Sequence, residues 1–550
     1  MKKKALFLTL LLCTGVGLIP VPAQYHSKVW DPDLGNGMYK NPVLFADYSD
    51  PDAIAVGDDY YLTASSFNCI PGLPILHSKD LVNWEIIGYA LNRQQPDSLF
   101  CKPQHGKGVW APAIRYHKGE YLIYWGDPDQ GIMRVRARQP QGPWSEPECV
   151  IAGKGMIDSC PLWDESGHCY LVNGWAGSRV GFNSVLTMWE LSADGSHAIS
   201  APRIVYDGGQ VNHTTEGPKL YQHDGWYRIL CPAGGVEHGW QLAMRSRTPF
   251  GPYEARTVMH QGHTDINGPH QGAWVHTALG EDWFLHFNDR NAYGRVVCLQ
   301  PMAWKGGWPV IGKDKDGDGC GEPYATWRKP KSNAKTRVNP QESDEFNNGE
   351  LGLQWQWQAN YNPLWGMPTA NGTLRLYNAD ELPGTSLWQA GNLLLQKLPA
   401  PKFTATAKVR ISAKSDGQYA GVVVMGMNYQ TLVCRRQGNK FELLQINCKD
   451  ADRQGKETEK VLATLEPTEV DTIPYSPAIH EDIYLRISID KGQARFAYSL
   501  DNKHYRTAGD TFTLRKGKWI GAKMGLVSMR PGATGNRGWM DVDWFRVEGN

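Results

Sequence analysis

Apolar residues in this chain recur mainly at every second position, in short runs that end at Gly, Pro, Asn or Asp. FTATAKVRI from Phe403, IYLRISI from Ile483 and ARFAYSL from Ala494 are examples. A period of two places alternate side chains on opposite faces of a strand, and long amphipathic helical stretches are missing, which disfavours α/β barrels. In the first part of the chain the alternation is organised into a repeat. Five segments share a polar or small residue, a nearby Pro, alternating apolars, a Gly turn and an aromatic strand. They begin at Ser49, Ala111, Asp158, Glu216 and His270, a spacing of roughly 50–60 residues, as in propeller blades. Each reads as a β-hairpin turning at Gly57, Gly119, Gly167, Gly225 or Gly280. Segments such as LVNWEIIG, QGPWSEP and FGPYEA then supply outer strands. The pattern predicts an all-β chain whose residues 24–330 form a five-bladed β-propeller. KSNAKTRVNPQES, residues 331–343, reads as a polar, Pro-containing linker, and residues 344–550 as a β-sandwich.

Composition narrows the function. The 550 residues have room for two cores, and the net charge of +1 comes from interleaved charges with no basic stripe, so nucleic acid is not the expected partner. The 22 Trp, 24 Tyr and 59 Gly suit β-structure and aromatic sugar platforms. Three lysines, an apolar run from Ala5 to about Ile19 and Val21-Pro22-Ala23 form a signal-peptide layout over residues 1–23. This run is too short for a comfortable span, and no other segment approaches a transmembrane helix. An exported protein follows, periplasmic or extracellular. A lipid anchor at Cys13 is the competing reading, although Leu12 fits poorly before it. The ten remaining cysteines are irregularly spaced without a CxxC pair, which argues for buried thiols or one or two incidental bridges and against zinc.

In a propeller the first strand of every blade lines the axis, so the residues opening the repeats face one another across the channel mouth. Here they are Asp50, Ala111-Pro112, Asp158, Glu216 and His270. Three carboxylates at a crowded axis repel and are costly to desolvate, which makes them candidates for catalysis. Inverting hydrolysis of a glycosidic bond needs a general acid with a raised pKa and a general base that activates water. Asp52 competes with Asp50, because Asp50 before Pro51 also suits a turn. Phe67 and Trp110, near strand ends, are candidates for the apolar wall of a sugar pocket or for blade packing.

The ordered stretches NPVLFADYSDPDAIAVGDDYYLTASSF, HSKDLVNW, GVWAPAIRYHKGEYLIYW, MIDSCPLWDESGHCYLVNG, TTEGPKLY and HQGAWV resemble glycoside hydrolase family 43, the β-xylosidases and α-L-arabinofuranosidases. The resemblance covers residues 40–310. It implies Asp50 as general base, Asp158 as the residue that tunes pKa and orients, and Glu216 as general acid. It also implies Arg295 as the arginine that hydrogen-bonds the sugar, with Arg290 as rival, and His270 as a substrate-binding candidate, an axial histidine that in some members accompanies a water-held calcium. DEFNNGELGLQWQW and MDVDWFRVE resemble the family's concanavalin-A-like (jelly-roll) C-terminal domain, which implies an exo-acting enzyme whose pocket that domain helps to close. The expected substrate is a plant cell-wall oligosaccharide or polysaccharide ending in α-L-arabinofuranose or β-D-xylose, with no cofactor required. Rival readings are a non-catalytic glycan-binding propeller and a propeller glycosidase for another sugar such as galactose. A structural calcium is an open expectation at Glu345 with Asp541 or Asp543. Asp314, Asp316 and Asp318 resemble half a calcium loop, but Ala325 stands where the bidentate Glu belongs, so a surface loop is the expectation there. The sequence leaves the oligomeric state unread.

Overall fold

A computed structural model of the chain describes residues 24–549 apart from residues 336, 382–385, 467–468, 473–474 and 533–535. The leader and Cys13 lie outside the described residues. Among those described, no helix is long and apolar enough to cross a membrane.

Five four-stranded antiparallel sheets succeed one another between Asp52 and Ile311, each pairing its strands in chain order. Their first strands are Asp52–Val56, Trp110–His117, Met156–Trp163, Lys219–His223 and Gly272–His276. All five hairpin glycines have left-handed φ. At Lys118-Gly119 and Asp224-Gly225 both turn residues do, the signature of the tight turn that matches strand twist. Neighbouring sheets share apolar layers: Leu62, Leu76 and Trp84 pack with Ala273, Leu285 and Val297, and Val172 and Met188 with Leu220 and Ile229. A sheet covered on both faces loses its polar alternation, which is why Tyr121 to Trp125 are all buried. Met38–Lys40 pairs with Thr326–Arg328 and ties the two ends of the ring together. This is the five-bladed propeller that the repeat predicts.

The C-terminal part is a sandwich of two mainly antiparallel eight-stranded sheets. Here the period of two is kept, because one face of each strand is core. Phe403, Ala405, Ala407, Val409 and Ile411 point inward from Lys402–Ser412, and Ile483, Leu485, Ile487 and Ile489 from the strand beside it. The core does not stop at the sandwich. Phe45, Ala292, Tyr293 and Val296 of the propeller belong to the same apolar cluster as Phe403, Leu485 and Phe545. The segment read as a linker is packed rather than free: Val338 and Asn339 are buried, and Asn339 Oδ1 accepts the Ser27 amide at 3.0 Å. All ten described cysteines are free thiols, so none of the incidental bridges occurs.

Tyr293 joins the two halves. Its ring packs against Phe45 at 5.5 Å, while its hydroxyl donates to the Pro401 carbonyl and accepts the Gly492 amide, each at 2.8 Å. Tyr293→Ala is expected to destabilise the protein by about 3–5 kcal/mol, and calorimetry should still show one transition for both halves. Separation into two transitions in the wild type would contradict the shared core.

Candidate active site

The repeat positions at the channel mouth owe their aim to local backbone. In the second and third blades the first strand carries a register irregularity, between Trp110 and Ala113 and between Ile157 and Cys160. Inside these bulges Ala111 has φ 36° and Asp158 φ 58°, and Asp50, just before the first blade's strand, has φ 53°. A bulge turns a side chain out of the pleat, and left-handed backbone is strained for a residue with a Cβ, a combination that recurs at functional sites. In the fourth blade Gly217, after Glu216, carries the positive φ of 59°. A Cβ there would come within 2.3 Å of the Gln271 side chain, so glycine is required.

The three carboxyls have different surroundings. Asp50 Oδ1 accepts from Arg295 Nη1 at 2.8 Å, and Oδ2 from Ser65 Oγ at 2.6 Å. Ser65 Oγ in turn accepts the Ala111 amide at 2.7 Å. Burial opposes the Arg295 charge, but Asp50 and neighbouring carboxylates hold that guanidinium above its usual range. Asp158 Oδ2 accepts the Gly217 amide at 2.7 Å. Burial raises the Asp158 pKa first, then the charges of Glu216 and Asp50, against the opposing pull of the Gly217 amide and Lys219. Glu216 is also raised, by burial and Asp50, with Arg295 opposing. Access separates them: the Glu216 side chain is 28% exposed, that of Asp50 only 6%.

These groups line one cavity of about 490 Å³, together with Phe67, Trp110, Trp175 and Trp519. Phe67 and Trp110 meet edge to face at 6.4 Å, and Trp110 meets Trp519 likewise at 6.0 Å. Trp519 comes from the sandwich, 48% exposed with φ 67°. Sequence reasoning missed it and Trp175. A tryptophan in a polar, Gly-containing loop (RKGKWIGAK) was the available signal. Arg295 faces the cavity, whereas Arg290 lines a separate groove with Trp30 and Phe45. Asp52 is fully buried and spent on structure: it pairs with Arg115 at 2.7 Å, lies 3.9 Å from Lys219 Nζ and accepts the Ile114 amide.

His270, expected among the substrate-binding residues, does not line the cavity: it is buried behind Glu216, with Nε2 3.4 Å from Oε1. Burial and Arg295 push its pKa down to about 3, so it is neutral, and neither ring nitrogen has a hydrogen-bond partner. A histidine offers nitrogen, whereas calcium takes six to eight oxygen ligands, so an ion beside His270 would be held mainly by water. Among the described residues Asp314, Asp316 and Asp318 alone form a group with metal-ligand proximity, and their carboxylates accept amides of their own loop. Glu345, Asp541 and Asp543 pair with Arg546, Arg375 and Lys408.

Comparison with known proteins agrees with this architecture. Residues 39–309 match the model of the glycosyl hydrolases family 43, and residues 343–548 that of the beta-xylosidase C-terminal concanavalin A-like domain. A beta-xylosidase of Formosa agariphila is 32% identical, covering 96% of this chain and 93% of its own. A non-reducing end alpha-L-arabinofuranosidase of Bacteroides ovatus is 28% identical over 93% of this chain and 95% of its own. A GH43 protein from Bacillus licheniformis superimposes with a TM-score of 0.79, at 25% identity, over 93% of this chain and all of that one.

A carboxyl whose folded pKa is raised gives stability that is full below its unfolded value and is lost as pH rises through the folded value. Asp158→Asn removes that loss. The variant is therefore expected to match wild type below about pH 4 and to exceed it above pH 8 by more than about 1.4 kcal/mol, the equivalent of one pH unit. Denaturant melts across this range check it. Parallel curves would mean that Asp158 ionises without penalty.

Proposed function

Because the chain belongs to glycosyl hydrolase family 43, we propose that this glycoside hydrolase releases a terminal pentose, β-D-xylose or α-L-arabinofuranose, from plant cell-wall glycan with inversion at the anomeric carbon. The carrying observation is the contrast between Asp50 and Glu216 across one aromatic-walled cavity. Asp50 accepts one hydrogen bond from the Arg295 guanidinium and one from Ser65 Oγ, which fix its carboxyl group at the cavity. Glu216 has its pKa raised and its side chain partly exposed, so it keeps a proton near neutrality where a leaving oxygen can receive it.

Water held by Asp50 attacks the anomeric carbon as the bond to the leaving oxygen breaks. Asp50 takes the water proton and Glu216 gives its own to the leaving oxygen, so the products are a free pentose and a shortened glycan. Asp158 holds the Gly217 amide and thereby fixes the backbone that carries Glu216. Neutral His270 backs Glu216 without supplying a competing charge. Tryptophan faces suit the apolar faces of sugar rings. The names of the relatives support the pentose, and the signal-like N-terminus supports an exported enzyme that meets polymeric substrate.

Aryl β-D-xyloside and aryl α-L-arabinofuranoside should identify the sugar, with aryl hexosides as controls. Cleavage of hexosides alone would sink the pentose assignment. Asp50→Asn is expected to lower kcat by at least about 100-fold, within the usual range for a lost general base. Glu216→Gln should lose as much on natural glycan but less on an aryl glycoside whose leaving group needs little protonation. NMR of the first-formed anomer should show inversion. The acid must be protonated, so kcat/KM should fall as pH rises through the raised Glu216 value. An alkaline limb unchanged in Glu216→Gln would remove that residue from the role.

A further inference from the structure

We propose that Asp47 is a positioning residue through which the sandwich completes the catalytic centre, its carboxylate clamping the Trp519 loop to the backbone of Arg295. The inference rests on the Arg295–Asp50 pairing used above and adds to it a residue that touches neither substrate nor the reacting atoms.

Asp47 is buried in the propeller at 4% exposure. Its Oδ1 accepts the Arg295 amide at 2.8 Å and Ser49 Oγ at 2.8 Å, and its Oδ2 accepts the Gly521 amide at 2.9 Å. The Ser49 bond is the local one that any Asp at a turn makes. The other two reach residues 248 and 474 positions away in the chain. One joins the strand whose first residue, Arg295, binds the proposed base. The other joins the loop whose Trp519, two residues before Gly521, walls the cavity.

The surroundings are built for this close approach. Gly294 has φ 78°, and a Cβ on it would lie 2.4 Å from Asp47 Oδ1. A Cβ on Gly521 would lie 2.8 Å from the Tyr293 backbone. The Ala522 amide donates to the Ala292 carbonyl at 2.7 Å, so the loop lies along the 292–295 segment. Lys516 Nζ anchors the loop's other end, 3.1 Å from Asp289. The Arg295 guanidinium sits 6.0 Å from the Trp519 ring. A buried carboxylate with three donors aimed at it is worth its desolvation only while all three remain. Displacing the loop therefore loosens Arg295, and displacing Arg295 loosens the loop.

Asp47→Asn keeps the shape but replaces one acceptor oxygen by an NH₂ group, so in either orientation an N–H meets the amide of Arg295 or of Gly521. With an aryl pentoside, the expectation is a fall in kcat of tenfold or more together with a severalfold rise in KM. Trp519→Ala should mainly raise KM. If Asp47 acts by holding that loop, adding Trp519→Ala to Asp47→Asn should raise KM by less than twofold further, a non-additivity that general loss of stability does not produce. Ser49→Ala, which removes only the local bond, should keep kcat within about twofold. Wild-type kcat and KM in Asp47→Asn, or penalties that simply multiply in the double variant, would overturn the proposal. Asp50→Asn is run alongside: its inactivity with an unaffected Asp47→Asn sinks this inference alone, whereas its full activity sinks the assignment of the base.

Discussion

Three carboxyl groups share one partly buried cavity, and the ion pair between Arg295 and Asp50 is what makes their company tolerable. Like charges repel more strongly where less water screens them. Burial of the group raises that conflict further. Arg295 holds Asp50, while burial first, and then repulsion from neighbouring carboxylates, raises the pKa values of Asp158 and Glu216. The pairing thus sets Asp50 apart from two acids whose pKa values are raised, the contrast on which the proposed roles rest. A second arrangement, Asp52 with Arg115 and Lys219, uses the same chemistry for a structural purpose, because Asp52 and Lys219 are fully buried.

Which carboxylates face the cavity was legible in the sequence because the blades repeat. Position within a repeat maps onto distance from the axis, so Asp50, Asp158 and Glu216 could be placed together although they are far apart in the chain. Choosing Asp50 over Asp52 was harder. Two residues apart at the start of one strand, they differ in whether backbone turns them to the mouth or into the axis, and no pattern of side chains encodes that. The Gly turns and the change at residues 331–343 were readable for a local reason. The burial of that segment was not, because its partner is the N-terminal stretch near Ser27.

The resemblance implied that the C-terminal domain helps to close the pocket, but not which residues of the two halves meet there. Trp519 belongs to the sandwich by chain position and to the cavity by place. Its approach depends on a loop conformation with positive φ and on glycines that allow close backbone contact, neither of which follows from alternation. Tyr293 likewise looks like any strand-end aromatic until Phe45, Pro401 and Gly492 surround it. Trp519 makes the sandwich part of the cavity wall and the continuous apolar cluster joins it to the propeller, so domain boundaries drawn from sequence do not coincide with the unit that encloses the site.

The bulged residue at the head of the second blade is Ala111, which shares left-handed backbone with Asp50 and Asp158 and lines the same cavity. Its methyl group occupies a socket that elsewhere in the ring holds an acid. The scaffold therefore carries more seats than the reaction fills. The geometry is common property of the repeat, and chemistry enters through which seats are charged and which are left blank. A fourth acid there would crowd a site with a single guanidinium to answer for it, so the small residue is as much a part of the electrostatic design as the three carboxyls beside it.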